Sequence, residues 1–375
     1  MITRKYLQLF LFDTCNQRCS YCHYALTGKV LHSSQLKPFK NKKFFNYIFF
    51  FLEQEMLKGS EYTLCLTGGE PLLMPNFDFF LNEVKNYNSK IIINTGLNFS
   101  DNNHSIMSLI NNFSMLEYIE ASLHPMSIDD DNNFYQFLNL VKLLKKNGIK
   151  IIVRIVSTKK FINNFSFYKE KISQLEELKV SILFFNHFSS DYPSSYTEDE
   201  KLFLQEKIKV KAQEISLNVG LDTSVNSVKC LAGSSLISID LRTGNISPCI
   251  TTSEITIGNI YDKNWHISKH EYRKCPIKTS CSCNLFFNHD LVKDFEDSKN
   301  FKRLLNSNDY KYDRLKLGNY RFSSQKNNLN NPYEHDNDFK SLSKEQVNKN
   351  FKENSAYFKG NYTDSFHSTF KKFME

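Results

Sequence analysis

Residues 6–24 read YLQLFLFDTCNQRCSYCHY: a short apolar run that leads straight into a loop holding Cys15, Cys19 and Cys22. The apolar part has the length and composition of a buried strand. Three thiolates at the spacing C-x3-C-x2-C can ligate three irons of a cubane. Iron–sulfur cubanes normally take four cysteines, so a three-cysteine loop leaves one iron open, and open positions are where metal chemistry occurs. The alternative is a zinc site completed by His23, although zinc usually draws pairs of close ligands from two places in a chain. Tyr21, just before the third cysteine, is an aromatic side chain suited to shielding one side of a cluster.

Outward from this loop, strand-like and helix-like segments alternate to about residue 215. After YLQLFLF comes a helix-like stretch from Phe44 to Leu57. The strand YTLCLTG and the helical FDFFLNEVKNY follow, then the strand KIIINTG and a helix around Ile106–Phe113. LEYIEASLH, the amphipathic FYQFLNLVKLLKKNG with Gly148 as a stop, and the β-branched IKIIVRIVS come next. KEKISQLEEL, KVSILFF and a long helix over Thr197–Leu217, capped by Thr197, complete the series. These six β–α units predict a parallel sheet flanked by helices; periodicity alone leaves a doubly wound sheet and an incomplete barrel both open. From Val225 to about Asp290, short strands, turns and cysteines replace the long helices, with Thr243-Gly244-Asn245 as a turn between LISIDL and ISPCI. After Asp290 the chain is rich in Lys, Asn, Ser and Asp, with little apolar surface to bury. The expected organisation is 1–220, 225–290 and a polar, partly disordered or helical tail, 291–375.

The 375 residues and a hydrophobic fraction of 41% allow a sizeable core, and 33 Phe and 19 Tyr make it aromatic. The formal net charge of +8 is spread along the chain and reads as a solvated basic surface, so nucleic acid is not an expected partner. The apolar run FFNYIFFFL is too short to span a membrane, and MITRKYLQLFLF carries no cleavage site. A cytoplasmic location is expected. Without a secretory signal, nine clustered cysteines read as metal ligands rather than disulfides. Cys65 stands apart from both clusters in an apolar strand and reads as core packing.

The run C-x3-C-x-aromatic-C after a first strand resembles the signature of the radical S-adenosylmethionine (SAM) superfamily. Leu66-Thr67-Gly68-Gly69-Glu70-Pro71, after the second strand, resembles that family's GGEP motif, where glycines let the backbone approach a ligand. The resemblance spans residues 5–290. It implies a partial (β/α)6 TIM-like barrel followed by a small cysteine-rich β-hairpin/α auxiliary domain. It also implies a [4Fe–4S] cluster on Cys15, Cys19 and Cys22, with SAM held by Gly68, Gly69 and Glu70. Asn94, Ser122 and Arg154, on the third to fifth strands, extend that cofactor-binding set. Arg154 lies amid Ile and Val, where an unpaired charge is costly; its partner is either the SAM carboxylate or a carboxylate such as Glu120. Ser122, Asn94 and Thr95 otherwise read as satisfied polar strand ends. His124, at the top of the fourth strand, is a speculative substrate-facing residue, with a solvated loop histidine as the alternative.

The later cysteines follow C-x13-G-x4-C through Cys230, Gly244 and Cys249, then Cys275, Cys281 and Cys283. This resembles the SPASM/Twitch extension and implies one auxiliary [4Fe–4S] cluster. The expected ligands are Cys230, Cys249, Cys275 and Cys281. Cys283 is a spare, a substitute ligand or a hydrogen-atom donor, and a zinc knuckle is the alternative for the whole set.

The implied reaction is reductive SAM cleavage to a 5′-deoxyadenosyl radical and hydrogen abstraction from a substrate. The leading substrate is a peptide or protein, as for maturases of ribosomally made peptides. A small molecule (a sugar, nucleotide or antibiotic precursor) is the alternative, and a non-catalytic Fe–S or zinc protein that binds nucleic acid is the third reading. A flavodoxin or ferredoxin is the expected reductant. The first strand begins near residue 5, which leaves no room for an N-terminal leader-peptide-binding domain and counts against a peptide substrate unless a separate chain supplies that domain.

Overall fold

The computed structural model describes residues 3–17, 19, 33–100, 102–186, 197–207, 229–249, 255–268, 273–274 and 292–293. Six parallel strands follow one another in chain order: β1 (Thr3–Phe10), β2 (Ser60–Thr67), β3 (Lys90–Thr95), β4 (Leu116–Leu123), β5 (Ile151–Ser157) and β6 (Ser181–Asn186). Each is followed by helix where the intervening residues are described. These are α1 (Asn46–Leu57), α2 (Phe77–Val84), α3 (His104–Asn111), α4 (Pro125–Asp129), α5 (Asp131–Lys146), α6 (Lys159–Asn163), α7 (Phe165–Glu177) and α8 (Glu198–Lys207). The parallel sheet core expected from the alternating pattern is therefore present.

Period-two alternation assigns the strand faces. Leu7, Leu9, Leu64, Leu66, Ile91, Ile93, Ile119, Ala121, Val153 and Ile155 join one apolar core with the helices. The opposite face carries Gln8, Cys65, Asn94, Tyr118, Glu120, Ser122, Arg154 and Ser238, a polar stripe at the same period. Strand β5 shows why Arg154 is tolerated: Ile151, Val153 and Ile155 are buried, whereas Ile152, Arg154 and Val156 are only half-buried. Cys65 is buried, as expected for a packing residue.

Local signals explain the helix ends. The Asp130 carboxylate accepts from Asn133 N at 2.9 Å to start α5. Gly148, at φ 81°, stops it in the left-handed conformation that suits glycine. Thr197 and Glu200 form a reciprocal capping box at α8: Glu200 N donates to Thr197 Oγ1 at 3.2 Å, and Thr197 N donates to Glu200 Oε2 at 2.7 Å. Residues 208–217, where the sequence predicts that helix to continue, lie outside the described residues. Two boundaries differ from expectation. The stretch from Phe44 opens as a 3-10 turn over Lys42–Phe45 before α1, and the third helix starts at His104 because Asn103 caps it, Ser105 N donating to Asn103 Oδ1 at 2.9 Å.

The C-terminal hairpin consists of β8 (Leu236–Asp240) and β9 (Asn245–Ser247), preceded by β7 (Lys229–Cys230). Strand β8 pairs in parallel with β1, Tyr6 opposite Leu236 and Phe10 opposite Asp240. The sheet thus continues past β1 through β8, β9, β10 (Gly258–Asn259) and β11 (Asn264–Trp265). Gly244 makes the expected turn with φ 76°; a Cβ there would lie 2.4 Å from the Tyr261 ring. Trp265 closes the meander onto α1, its indole N–H donating to Glu55 at 3.1 Å. A second sheet has β7 between β12 (Arg273–Lys274) and β13 (Val292–Lys293). Among the described residues, no helix is long and apolar enough to cross a membrane.

Candidate functional site

The cysteine loop leaves β1 and is gripped by the segment that leaves β2. Leu11 N donates to Thr67 O at 3.0 Å, Gly69 N to Phe12 O at 2.6 Å and Glu70 N to Thr14 O at 2.9 Å. This approach requires two glycines. A Cβ on Gly69 would sit 2.0 Å from Thr14 O, and one on Gly68, at φ 128°, would sit 2.5 Å from Phe12 O. The two motifs singled out in the sequence are therefore one backbone-to-backbone contact, ending one residue before Cys15.

Glu70 extends the grip to the third strand. Its buried carboxylate accepts from Leu72 N at 3.1 Å and from Gly96 N at 2.8 Å. Burial pushes its pKa up from 4.5 to about 7, against the lowering effect of hydrogen bonds from Gly96, Thr95 and Leu72. Gly96 in turn faces Gln17 of the cysteine loop: a Cβ there would meet Gln17 Nε2 at 2.5 Å. Asn16 Nδ2 donates to Asn98 O at 2.8 Å. Neither Gly96 nor Gln17 stands out in the sequence, because a single glycine after a strand reads only as a turn.

Cys19 is buried and Cys15 half-buried, and both are thiols rather than disulfide halves. Gln17 N lies 3.4 Å from Cys15 Sγ, and Cys19 Sγ lies 3.6 Å from Gln17 Oε1. Thiols on a loop whose preceding backbone is fixed in this way suit an iron–sulfur group. Tyr21, Cys22 and His23 lie outside the described residues. Among the described residues, no three His, Cys, Asp or Glu side chains gather as a metal site.

A second polar group forms at β3–β5. Arg154 Nη1 is 2.5 Å from Glu120 Oε2 and 3.5 Å from Asn94 Oδ1. Ser122 lies opposite Arg154 in the β4–β5 register. Glu120 is thus the carboxylate partner that the sequence allowed for Arg154, and the Arg154 side chain keeps 24% exposure while that of Glu120 keeps 7%. His124, at the end of β4, has its pKa pushed down to about 4, first by burial and then by the nearby Arg154 charge, so it is neutral at pH 7. The residue as a whole is half-buried.

The charged pair Asp13–Arg242 went unnoticed in the sequence. Arg242 Nη1 lies 2.7 Å from Asp13 Oδ1, although the residues are 229 positions apart. In the C-terminal region Cys249 is buried. Gly233 N donates to Pro248 O at 3.0 Å, which ties the chain just after Cys230 to the residue before Cys249. Cys230 lies opposite Arg273 and Val292 in the β7 ladders, and Cys275 follows β12 directly in sequence. Cys275, Cys281 and Cys283 lie outside the described residues.

No family model matches the chain. A stretch of 86 residues, 23% of this chain and 25% of the relative, is 34% identical to GTP 3′,8-cyclase of Campylobacter jejuni (strain RM1221). The match thus spans a quarter of that curated relative's length. Among solved structures, native anSMEcpe with bound AdoMet and Cp18Cys peptide aligns at a TM-score of 0.50 with 14% identity, covering 97% of this chain and 99% of that one. Streptococcus suis SuiB bound to precursor peptide SuiA aligns at 0.45 with 16% identity, covering 72% of this chain and 64% of that one. The likeness to anSMEcpe is one of fold. The cyclase match and the shared fold support the radical SAM superfamily resemblance of the cysteine run.

Proposed function

We propose that this chain is a radical SAM enzyme that abstracts hydrogen from a peptide or protein substrate. The observation that carries this reading is the direct contact of Gly68-Gly69-Glu70 with Phe12–Thr14, which joins the two motifs at adjacent strand ends. The architecture that goes with it is a partial (β/α)6 barrel. Cys15, Cys19 and Cys22 would hold a [4Fe–4S] cluster that, with SAM, supplies a 5′-deoxyadenosyl radical when both are bound. Gly68, Gly69, Glu70, Asn94, Ser122 and Arg154 would hold SAM. Because Glu70 spends both carboxylate oxygens on backbone N–H groups, its part is to hold the loops in shape. Arg154 is the residue suited to a ligand carboxylate: its side chain is partly exposed and its guanidinium is already oriented by Glu120. Neutral His124, near it at the end of β4, could face substrate as a hydrogen-bonding group; a pKa of about 4 makes it a weak proton acceptor.

Cys230, Cys249, Cys275 and Cys281 would hold an auxiliary [4Fe–4S] cluster, with Cys283 as a substitute ligand or a hydrogen donor. The convergence of the chain around Cys230, Cys249 and Arg273 supports this set. The bound peptide named for anSMEcpe, a structure of the same fold, supports the substrate class. The cyclase match favours a second reading, in which the substrate is a small molecule such as a nucleotide. A flavodoxin or ferredoxin would supply the electron.

Anaerobic reconstitution decides the main reading. About eight irons per chain and 5′-deoxyadenosine formed only with reductant are expected. Bound zinc in place of iron, or intact SAM, overturns it. Screening co-expressed peptides against nucleotides then separates the two substrate classes.

A further inference from the structure

The turn between β8 and β9 reaches the cysteine loop through one side chain. Arg242 Nη1 is 2.7 Å from Asp13 Oδ1, while its Nη2 and Nε lie 2.6 Å and 2.9 Å from the two oxygens of Asp240. The guanidinium also stacks 4.2 Å over the Phe10 ring. The Asp13 side chain is only 1% exposed. Its remaining polar groups are engaged by Gln35: Asp13 N donates to Gln35 Oε1 at 2.7 Å, and Gln35 Nε2 donates to Asp13 Oδ2 at 3.3 Å. Leu241 N donates to Phe10 O at 2.9 Å, so the turn is bound to the end of β1 by backbone as well. Asp13 lies one residue after Phe12, which Gly69 grips, and two residues before Cys15.

We propose that Arg242 is a positioning residue that fixes the cysteine loop from the side opposite to the glycines of β2. The proposal rests on the functional reading above only for what the loop carries. A buried carboxylate needs a paired charge, and removing one partner leaves the other stranded. Here one guanidinium serves Asp13 and Asp240 together. Without it the two acids repel, and Asp13 gains most by turning toward water. That turn drags the backbone leading to Cys15. The planar fork addresses both acids at once, which a lysine ammonium cannot do. The C-terminal hairpin is accordingly part of the machinery that shapes the N-terminal site. The end of β8, with the turn into β9, and the loop that carries Cys15 are tied to one charge network.

The test uses the full chain with Arg242→Ala, Arg242→Lys and Asp13→Asn. In cluster-free protein, hydrogen exchange at residues 13–17 should rise about tenfold in Arg242→Ala, with β3–β5 unchanged, because the change is a local opening. Arg242→Lys should recover part of that protection, and Asp13→Asn, which removes the stranded charge, should rise less than Arg242→Ala. After reconstitution, a chelator should strip iron about tenfold faster from Arg242→Ala, and the EPR signal of its reduced cluster should differ from that of the unaltered chain. Unchanged exchange and iron loss overturn the proposal, as does a rise spread evenly over the sheet, which would make Arg242 a general stabiliser. If Arg242→Ala does not fold, Arg242→Lys decides on the same measurements. Failure of the unaltered chain to take up iron would sink the functional reading while leaving the exchange result to decide on positioning.

Discussion

The ends of β1–β3 and the ends of β4–β5 are built by different means. At β1–β3 the contacts all involve main chain: Gly69 N donates to Phe12 O, Glu70 N to Thr14 O, and Gly96 N to the Glu70 carboxylate. At β4–β5 they are side chain to side chain: Arg154, half-buried on β5, meets the buried Glu120 of β4 and reaches Asn94 on β3. Backbone contacts of this closeness admit no added atom. Side-chain pairs on an open face can exchange partners at modest cost. The first region therefore behaves as a fixed frame and the second as an adjustable surface that a ligand can engage.

The sharpest way to break this contrast is Gly69→Ala. A methyl 2.0 Å from Thr14 O has only backbone to push against, so the loop must move. A destabilisation of about 3 kcal/mol is expected, together with near-complete loss of iron uptake on reconstitution. A variant that folds and binds iron normally would show that the frame yields and would erase the distinction.

Glu70→Gln should have the next largest effect. The amide keeps one acceptor but turns an NH2 group toward Leu72 N or Gly96 N, which strands a buried donor at a cost of about 1–3 kcal/mol. The pH dependence is a separate signature. The folded pKa of Glu70 is raised to about 7 from the ordinary 4.5, so the folded state holds the proton more tightly than the unfolded chain. Its contribution is fully present below about pH 4.5 and is lost as pH rises toward about 7. Thermal midpoints of the cluster-free protein should therefore decline over that window by an amount that is missing in Glu70→Gln. Parallel curves for the two proteins would place the Glu70 titration elsewhere.

Legibility in the sequence followed the same division. The alternation of strand-like and helix-like segments exposed the six parallel strands, and Gly-Gly-Glu after β2 was readable through its resemblance to the GGEP motif, since paired glycines alone more often mark only a turn. Arg154 was readable because a charge among β-branched residues demands a partner, and Glu120, on the same face of its strand as Ser122 and His124, was a candidate by position. Asp13 and Arg242 were not readable. Both sit on irregular segments where polar residues are ordinary, and no period links positions 229 apart. The pairing of β8 beside β1 was hidden for a related reason: a parallel neighbour distant in sequence leaves no local pattern in either strand. Gly96 was seen as a strand terminus, and its role depends on Gln17, which only the fold brings beneath it.

On the adjustable side, Arg154→Ala should cost about 2 kcal/mol: it leaves the buried Glu120 carboxylate without its partner, a penalty softened by the partial exposure of the Arg154 side chain. Its stronger effect should fall on SAM binding, weakened about tenfold, or ~1.4 kcal/mol, with iron content unchanged. Isothermal titration of the reconstituted protein measures this directly. Loss of iron in parallel with SAM affinity would mean that the β5 region belongs to the rigid frame after all.

Ser122→Ala should have the smallest effect. Ser122 lies opposite Arg154 on a half-buried stretch, so stability should stay within about 0.5 kcal/mol of the unaltered chain. Its diagnostic value lies in combination. If Ser122 and Arg154 engage the same ligand, the double variant should lose less SAM affinity than the sum of the single losses, because removing Arg154 already releases the group that Ser122 contacts. If the losses simply add, the two residues act on separate parts of the ligand, and the adjustable surface is wider than the Arg154–Glu120–Asn94 cluster.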